Sequence, residues 1–427
     1  MGVFSLAEIV EWAKGNSDYY RVLYKDIKGP AISLKMLPVV NQKEFWTAAG
    51  VNGKGLLTAD LSDGLVFKSG GTTGAPKFSF YSNSEWAEFT RWFGWGIAQN
   101  GLYRPGSRMG NLFYAGELYA SFLFLNKSIE QIPGGTVHFP MGGTMLPPDI
   151  LSTVDNFNLD FLVGLPSTAV RLAEYKITTG QNGLGQSLRG FLFGGESLYE
   201  DQKDLIARAF PNMVMRSTGY ASVDGGLVGY ADSTCANGEH RVFSEATVVE
   251  ILDEETLEPV SEVGQEGLVV LTNLTRKLMP LLRYPVGDRG MWTEKLGLNP
   301  NRRFQILGRS EESARVGPVT LYFEDIQSCL SPWWQELQFS QFQLVLVHEG
   351  NRDALVVRIG LAKKELISQV VQFEPEILKA IYAKKPMLAE SIANGVVGPA
   401  RLEWVSSDLI EHNLRSGKLK RIVDKRF

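Results

Sequence analysis

The sequence predicts an α/β protein: a large N-terminal domain with parallel sheets and a small β-subdomain, then a smaller α+β C-terminal domain. Three observations predict it. Between residues 160 and 215 short apolar strands alternate with helical stretches, the order that builds a parallel sheet. Beyond residue 240 the pattern becomes strands joined by turns, and past Arg309 an apolar hairpin precedes helical stretches and a basic tail.

In chain order, the first informative run is Ser69-Gly70-Gly71-Thr72-Thr73-Gly74-Ala75-Pro76-Lys77. Gly64-Leu65-Val66-Phe67-Lys68 before it and Lys77-Phe78-Ser79-Phe80-Tyr81-Ser82 after it both read as strands, so the loop does not open a helix. A Walker loop and a dinucleotide loop both need a helix at that point, and neither fits. Glycines 70, 71 and 74 let successive amides converge on an anion, and Ser69, Thr72, Thr73 and Lys77 add donors. On the loop alone, a flexible polar hairpin stays open as the alternative.

Trp86, Phe89, Phe93 and Ile97 are spaced for one buried helix face. Asp160-Phe161-Leu162-Val163-Gly164 is a short apolar strand, and Pro166-Ser167 opens a helix through Val170, Leu172 and Ala173. Gly190-Phe191-Leu192-Phe193 is the next strand, followed by a helix with Leu205, Ile206 and Ala209, then by the strand Met213-Val214-Met215. Ligands of parallel sheets sit beyond the carboxyl ends of strands, so Gly194 to Ser197 and Tyr220 to Asp224 are expected walls of one pocket. Thr247 to Leu252 and Gly267 to Leu271 form the antiparallel part, and Gln343 to Val347 with Leu355 to Ile359 the later hairpin around Gly350-Asn351.

With 427 residues, 44% hydrophobic and 21% charged, the chain has enough apolar residues for two or three domains with cores. A net charge of -4 argues against a nucleic-acid partner held by bulk charge, and the one basic cluster is the tail from Arg415 to Arg426. Cys235 and Cys329 are the only cysteines, which implies a reducing compartment. Glu8 and Glu11 interrupt the N-terminal apolar pattern, Leu6 stands where N-myristoylation wants Ser or Thr, and no apolar run reaches membrane-span length. A cytoplasmic protein without signal peptide or membrane partner is expected.

Six stretches together resemble the adenylate-forming superfamily of acyl-CoA synthetases and nonribosomal peptide adenylation domains. They are the Ser69 to Lys77 loop, Phe193 to Ser197, Gly219 to Asp224, Arg283 to Asp288, Gly308 to Glu311 and the tail from Arg415 through Lys418 to Arg426. Length and tail resemble the phenylacetate–CoA ligase-like branch, which includes the activating enzymes of luminescence fatty-acid reduction and phenazine tailoring. The resemblance implies residues 1–307 as the ATP- and acid-binding domain and 308–427 as a mobile domain hinged near Glu311. It implies attack of a carboxylate on the α-phosphate of ATP to give an acyl adenylate, then transfer to a thiol such as CoA. An aromatic acid is the implied substrate, in a setting of secondary metabolism.

By the same resemblance, Ser69, Gly70, Gly71, Thr72, Thr73, Gly74 and Lys77 would hold the β- and γ-phosphates. Gly194, Gly195, Glu196, Ser197 and Ala221 would line the adenine side, where Tyr220 stacks. Asp288 would bind the ribose, Arg309 would reach the phosphates, and Asp224 would hold Mg²⁺. Lys418 would bridge carboxylate and phosphate as the catalytic lysine. Tyr114, Ala115 and Gly116, with Glu117, Tyr119 and Gly219, would face the acid. The pattern departs from the superfamily at Asp224 (usually Glu), at Val223 (usually Ser or Thr), at the hinge glutamates, after which Ser313 to Gly317 runs one residue short, and at Ser416-Gly417, where the branch has Ser-Glu-Gly. Two other fates remain open: the adenylate passes to a carrier protein, a protein serine or a partner reductase, or the chain only binds nucleotide. Retention of both Lys77 and Lys418 speaks against the second. Asp232, Cys235 and His240 lie close in sequence, but three mixed ligands do not close a zinc site, and a buried thiol beside a hydrogen-bonded loop histidine is the plainer reading.

Overall fold

The computed structural model describes residues 2–27, 32–69, 77–116, 118–195, 198, 200–309, 313–316, 319–334, 339–349, 352–361, 366–395, 397–413 and 417–426. Contacts divide the chain into two compact units, one of Met1–Leu165, Gly183–Gly194 and Asn212–Leu307, the other of Pro166–Asn182, Gly195–Pro211 and Gly308–Phe427.

In the first unit, Ser5 and Glu8 form a capping box that starts the helix Leu6–Asn16, whose Ile9, Val10 and Ala13 turn inward. The helix Gln42–Ala49, capped by Asn41, adds Phe45 to the same core, which also holds Tyr20, Tyr24, Tyr284 and Phe304. The strands Leu65–Ser69 and Lys77–Tyr81 pair antiparallel with Ser69 opposite Lys77, so both flanks of the glycine-rich run are strands, as expected. The helix Asn83–Ala98 begins with a second capping box, Ser82 and Glu85, and buries Trp86, Phe89, Phe93 and Ile97. Phe89 and Phe93 pack on Phe124 at ring distances of 4.5 and 4.7 Å.

A five-stranded parallel sheet follows, ordered Val137–Pro140, Arg108–Asn111, Phe161–Gly164, Gly190–Phe193 and Val214–Ser217. Two of the three inner strands, Phe161–Gly164 and Gly190–Phe193, are buried throughout, which is why their sequences are continuous apolar runs. The other sheet of this unit is larger than the small β-subdomain expected beyond residue 240. It has seven strands and begins at Tyr220: Thr247–Leu252, Glu266–Asn273, Tyr284–Trp292, Arg303–Arg309, Glu239–Val242, Gly226–Tyr230 and Tyr220–Ser222. Its first strand is three partly buried residues closed by Gly226 at φ +77°, too short to show an alternation.

In the second unit, the helices Pro166–Thr179 and Glu200–Ala209 enclose Lys176, whose ammonium lies 4.1 Å from the Phe210 ring centre. Its C-terminal segment has a four-stranded sheet ordered Arg401–Ser406, Arg352–Leu361, Phe339–Glu349 and Ile422–Asp424. The expected hairpin is there, with Leu344 opposite Val357 and Leu346 opposite Leu355, although Gly350 and Asn351 lie outside the described residues. Helices Phe323–Leu330, Glu374–Lys384 and Pro386–Ala393 supply Ile326, Ile377, Ile381 and Leu388 to its core. No helix among the described residues is long and apolar enough to cross a membrane.

Candidate active site

The hairpin Leu65–Ser69/Lys77–Tyr81 delivers Lys77 to the site. The Lys77 ammonium lies 3.8 Å from Asp224 Oδ2 and 3.4 Å from Gln42 Oε1, and 5.6 Å above the Trp46 ring. Gly70, Gly71, Thr72, Thr73 and Gly74 lie outside the described residues, and Ser69 is described by its backbone alone.

Asp224 follows the short strand Tyr220–Ser222, and the neighbouring hairpin holds its backbone. Tyr81 donates its phenol to the Val223 carbonyl at 3.0 Å. Arg276 is 1% exposed, stacks 4.0 Å over the Tyr81 ring, and donates to the carbonyls of Phe80 and Asp224 at 3.0 and 3.4 Å. The Asp224 carboxylate accepts from Tyr284 at 3.1 Å, and Tyr284 is itself contacted by the Trp46 indole nitrogen at 3.0 Å. None of Gln42, Trp46, Tyr81, Arg276 or Tyr284 was singled out by sequence reasoning. Tyr284 lay inside the quoted Arg283 to Asp288 run, and a phenol at a buried strand position was the available signal.

On the same strand as Tyr284, Asp288 is buried and accepts the Tyr220 hydroxyl. The Tyr220 ring lies 5.8 Å from His240 and 6.2 Å from Phe304. His240 shares a proton with Ser217 Oγ at 2.9 Å, and burial pushes its imidazole down to about 4. Ser217 in turn accepts the Gly219 amide at 3.1 Å. Gly219 has φ +126°, and a Cβ there would stand 2.9 Å from the Gly229 carbonyl and 3.0 Å from Phe93. Only glycine fits. Gly194 and Thr218 are neighbours: Thr218 donates its amide to Phe193 at 2.7 Å, and a Cβ on Gly194 would meet Thr218 Oγ1 at 2.7 Å. Gly194 therefore lies beside the segment that leads into Tyr220. Ala221 sits partly buried against the Phe89 cluster. Gly195 has φ +80°, and Glu196 and Ser197 lie outside the described residues.

The segment after the strand Arg108–Asn111 turns through Gly116 at φ +106° and, with the edge strand of the hairpin, forms an apolar groove of about 420 Å³. Val66, Phe67, Ala115, Gly116, Tyr119 and Phe122 line it. Tyr114 instead lies against Gly143, where a Cβ would stand 2.5 Å from its ring. Glu117 lies outside the described residues.

In the C-terminal segment, Lys418 belongs to a tight loop in which Asn413 donates its amide to the Lys418 carbonyl at 2.7 Å and Gly417 donates to Asn413 at 2.8 Å. Gly417 takes φ +68° there. Arg421 pairs with Glu324 at 3.4 Å and Lys420 with Glu411 at 3.4 Å. Arg309 ends the strand Arg303–Arg309 and is described by its backbone alone, while Glu311, Arg415 and Ser416 lie outside the described residues. Asp232, Cys235 and His240 do not converge. Burial alone would raise the Asp232 carboxyl, but the bonds from Thr234 and Arg241 outweigh it and hold it at about 2. Burial pushes the Cys235 thiol up to about 11. Among the described residues, no three of His, Cys, Asp and Glu are grouped as metal ligands.

No family model matches the chain. The chain is 25% identical over 370 residues to phenylacetate–coenzyme A ligase of Thermus thermophilus, covering 84% of this chain and 80% of that protein. It is 30% identical over 194 residues to indoleacetate–lysine synthetase of Pseudomonas savastanoi, 44% of each chain. Among solved structures, 2-hydroxyisobutyryl-CoA ligase in the postadenylation state superposes with a TM-score of 0.77 at 19% identity, covering 99% of this chain and 88% of that one. Fold and relatives together define an AMP-producing ligase of the adenylate-forming superfamily. Within that superfamily its sequence is similar, at 22–25% identity, to phenylacetate–coenzyme A ligases.

Proposed function

We propose that this chain activates a carboxylic acid with ATP through an acyl adenylate and transfers the acyl group to a thiol such as CoA. The observation that carries the reading is the convergence of Lys77, at the foot of the glycine- and threonine-rich loop, with the Asp224 carboxylate. A polyanionic substrate needs both charges there. The ammonium stabilises negative charge building on the phosphates, and a carboxylate is the donor that Mg²⁺ takes from protein while phosphates and water fill its other positions. Asp224 fits that role: its side chain is 15% exposed, and both Lys77 and Tyr284 approach the same oxygen, Oδ2. Bound Mg²⁺ would neutralise phosphate charge.

In this reading a carboxylate oxygen attacks the α-phosphorus, the bond to the β-phosphate oxygen breaks, and pyrophosphate leaves. Ser69, Gly70, Gly71, Thr72, Thr73 and Gly74 hold the leaving phosphates. Asp288 binds the ribose hydroxyls, Tyr220 stacks on adenine beside Gly194, Gly195, Glu196, Ser197 and Ala221, and Arg309 reaches the phosphates. Lys418, on the mobile domain 308–427, bridges carboxylate and α-phosphate. The acid meets Gly219, Tyr114, Ala115 and Gly116, and the apolar groove beside Ala115 and Gly116 supports an acid with an apolar, aromatic body. In the second half-reaction the thiol sulfur attacks the acyl carbon and AMP leaves.

A second reading is favoured by the similarity to indoleacetate–lysine synthetase over 194 residues: the acceptor is an amine, and an amide forms in place of a thioester. Measuring pyrophosphate and AMP release across aryl, hydroxy and fatty acids, with CoA, with lysine or with no acceptor, separates the two. Acid-dependent pyrophosphate release with aryl acids and CoA thioester as product is expected. ADP as the nucleotide product, or no dependence on any acid, overturns the proposal. Amide without thioester establishes the second reading.

A further inference from the structure

Two residues one helical turn apart reach the charged pair of the site from outside it. Gln42 and Trp46 lie at i and i+4 on the helix Gln42–Ala49, and therefore on one face. The Trp46 indole nitrogen is 3.0 Å from the Tyr284 oxygen, and that oxygen is 3.1 Å from Asp224 Oδ2. The direction of this chain follows from chemistry. An indole N–H only donates, so the Tyr284 oxygen accepts from it, and an ionised carboxylate only accepts, so the Tyr284 proton points to Asp224. Packing fixes the phenol in place, because Tyr284 is fully buried with its ring 5.3 Å from Phe45 and 6.3 Å from Trp46. Gln42 is oriented in the same way. Its amide nitrogen donates to the Pro285 carbonyl, which turns its oxygen toward Lys77, 3.4 Å away.

We propose that the Gln42–Ala49 helix is a positioning element of the active centre, acting through Trp46 and Tyr284 on the Asp224 carboxylate and through Gln42 on the Lys77 ammonium. The inference rests on the reading of Asp224 given above. Asp224 is one methylene shorter than glutamate, and the Tyr284 bond supplies the orientation that a short side chain needs to present its other oxygen to a cation. Trp46, Gln42 and Tyr284 act through their neighbours and are positioning residues.

The test uses the full chain with Mn²⁺ as paramagnetic probe and a non-hydrolysable ATP analogue, read by electron paramagnetic resonance, beside the Mg²⁺ dependence of pyrophosphate exchange. Tyr284→Phe keeps the ring and removes one oxygen. It is expected to raise the half-saturating metal concentration about tenfold, the scale of one hydrogen bond to a charged group, with the exchange rate recovering at saturating metal. Trp46→Phe is expected to shift it less in the same direction, and the double variant no further than Tyr284→Phe alone, because the indole acts through the phenol. A purely structural role lowers the melting temperature and the active fraction without moving half-saturation. Unchanged half-saturation in Tyr284→Phe, or additive shifts in the double variant, overturns the proposal. A parent that binds metal and nucleotide but shows no acid-dependent exchange overturns the functional reading alone, and the metal titration still decides the positioning. A parent that binds no metal with nucleotide overturns both.

Discussion

Lys418 and His240 show two ways in which a single side chain is set by its surroundings. The Lys418 backbone is held by Asn413 and by the left-handed turn at Gly417, so its position is defined by the loop. Lys418→Ala is expected to lower acid-dependent pyrophosphate exchange about a hundredfold or more and to leave ATP binding within a few-fold, because a positioned charge acts on the transition state. Unchanged exchange would remove Lys418 from the role. His240 is buried and neutral, with its folded value near 4 against an ordinary 6.5. Between those values the unfolded chain takes up a proton that the native protein does not. Stability is therefore complete above the unfolded value and falls as pH drops toward the folded one, by roughly 3 kcal/mol in all. Denaturant melts at pH 7, 5.5 and 4.5 are expected to show that decline in the parent and a shallower one in His240→Gln.

At the scale of elements, the turn from the last parallel strand, Val214–Ser217, into the first antiparallel one, Tyr220–Ser222, depends on Gly219. Gly219→Ala combines a left-handed φ with two contacts near 3 Å, one of them to backbone. A loss of about 1–3 kcal/mol in unfolding free energy is expected, with weaker nucleotide binding because Tyr220 shifts relative to Asp288. A variant as stable as the parent and with parental ATP affinity would show that the turn tolerates a side chain. The parallel strands were legible because burial on both faces writes them as apolar runs, and the hairpin at Lys77 because an apolar run precedes the loop and an alternating one follows it. The seven-stranded sheet was not. Its order places Arg303–Arg309 between Tyr284–Trp292 and Glu239–Val242, and a local pattern carries no record of such pairings. Tyr284 and Trp46 are 238 positions apart, so their bond is invisible locally, and the Arg276 guanidinium would have been read as solvated.

For the molecule as a whole, our reading is that residues 308–427 turn between the two proposed half-reactions, with Glu311 as the hinge residue. Glu311→Pro is expected to leave pyrophosphate exchange within a few-fold of the parent and to slow thioester formation at least about tenfold, since hinges absorb backbone change. Equal slowing of both steps would argue against a hinge there.

The buried guanidinium of Arg276 carries a further consequence, for capture kinetics. The chain is a net anion of formal charge -4, and ATP is a polyanion too, so at long range the two repel. Arg276 is bound by carbonyls, the Met279 sulfur and a ring, so its positive field stays concentrated behind the backbone of Asp224. Dissolved ions reach the outer repulsion, which fades beyond about 10 Å at 0.1 M salt, but they do not reach a charge sealed in the interior. Stopped-flow association of ATP should therefore hold steady or quicken as salt rises, where a nucleotide drawn in by surface lysines would slow.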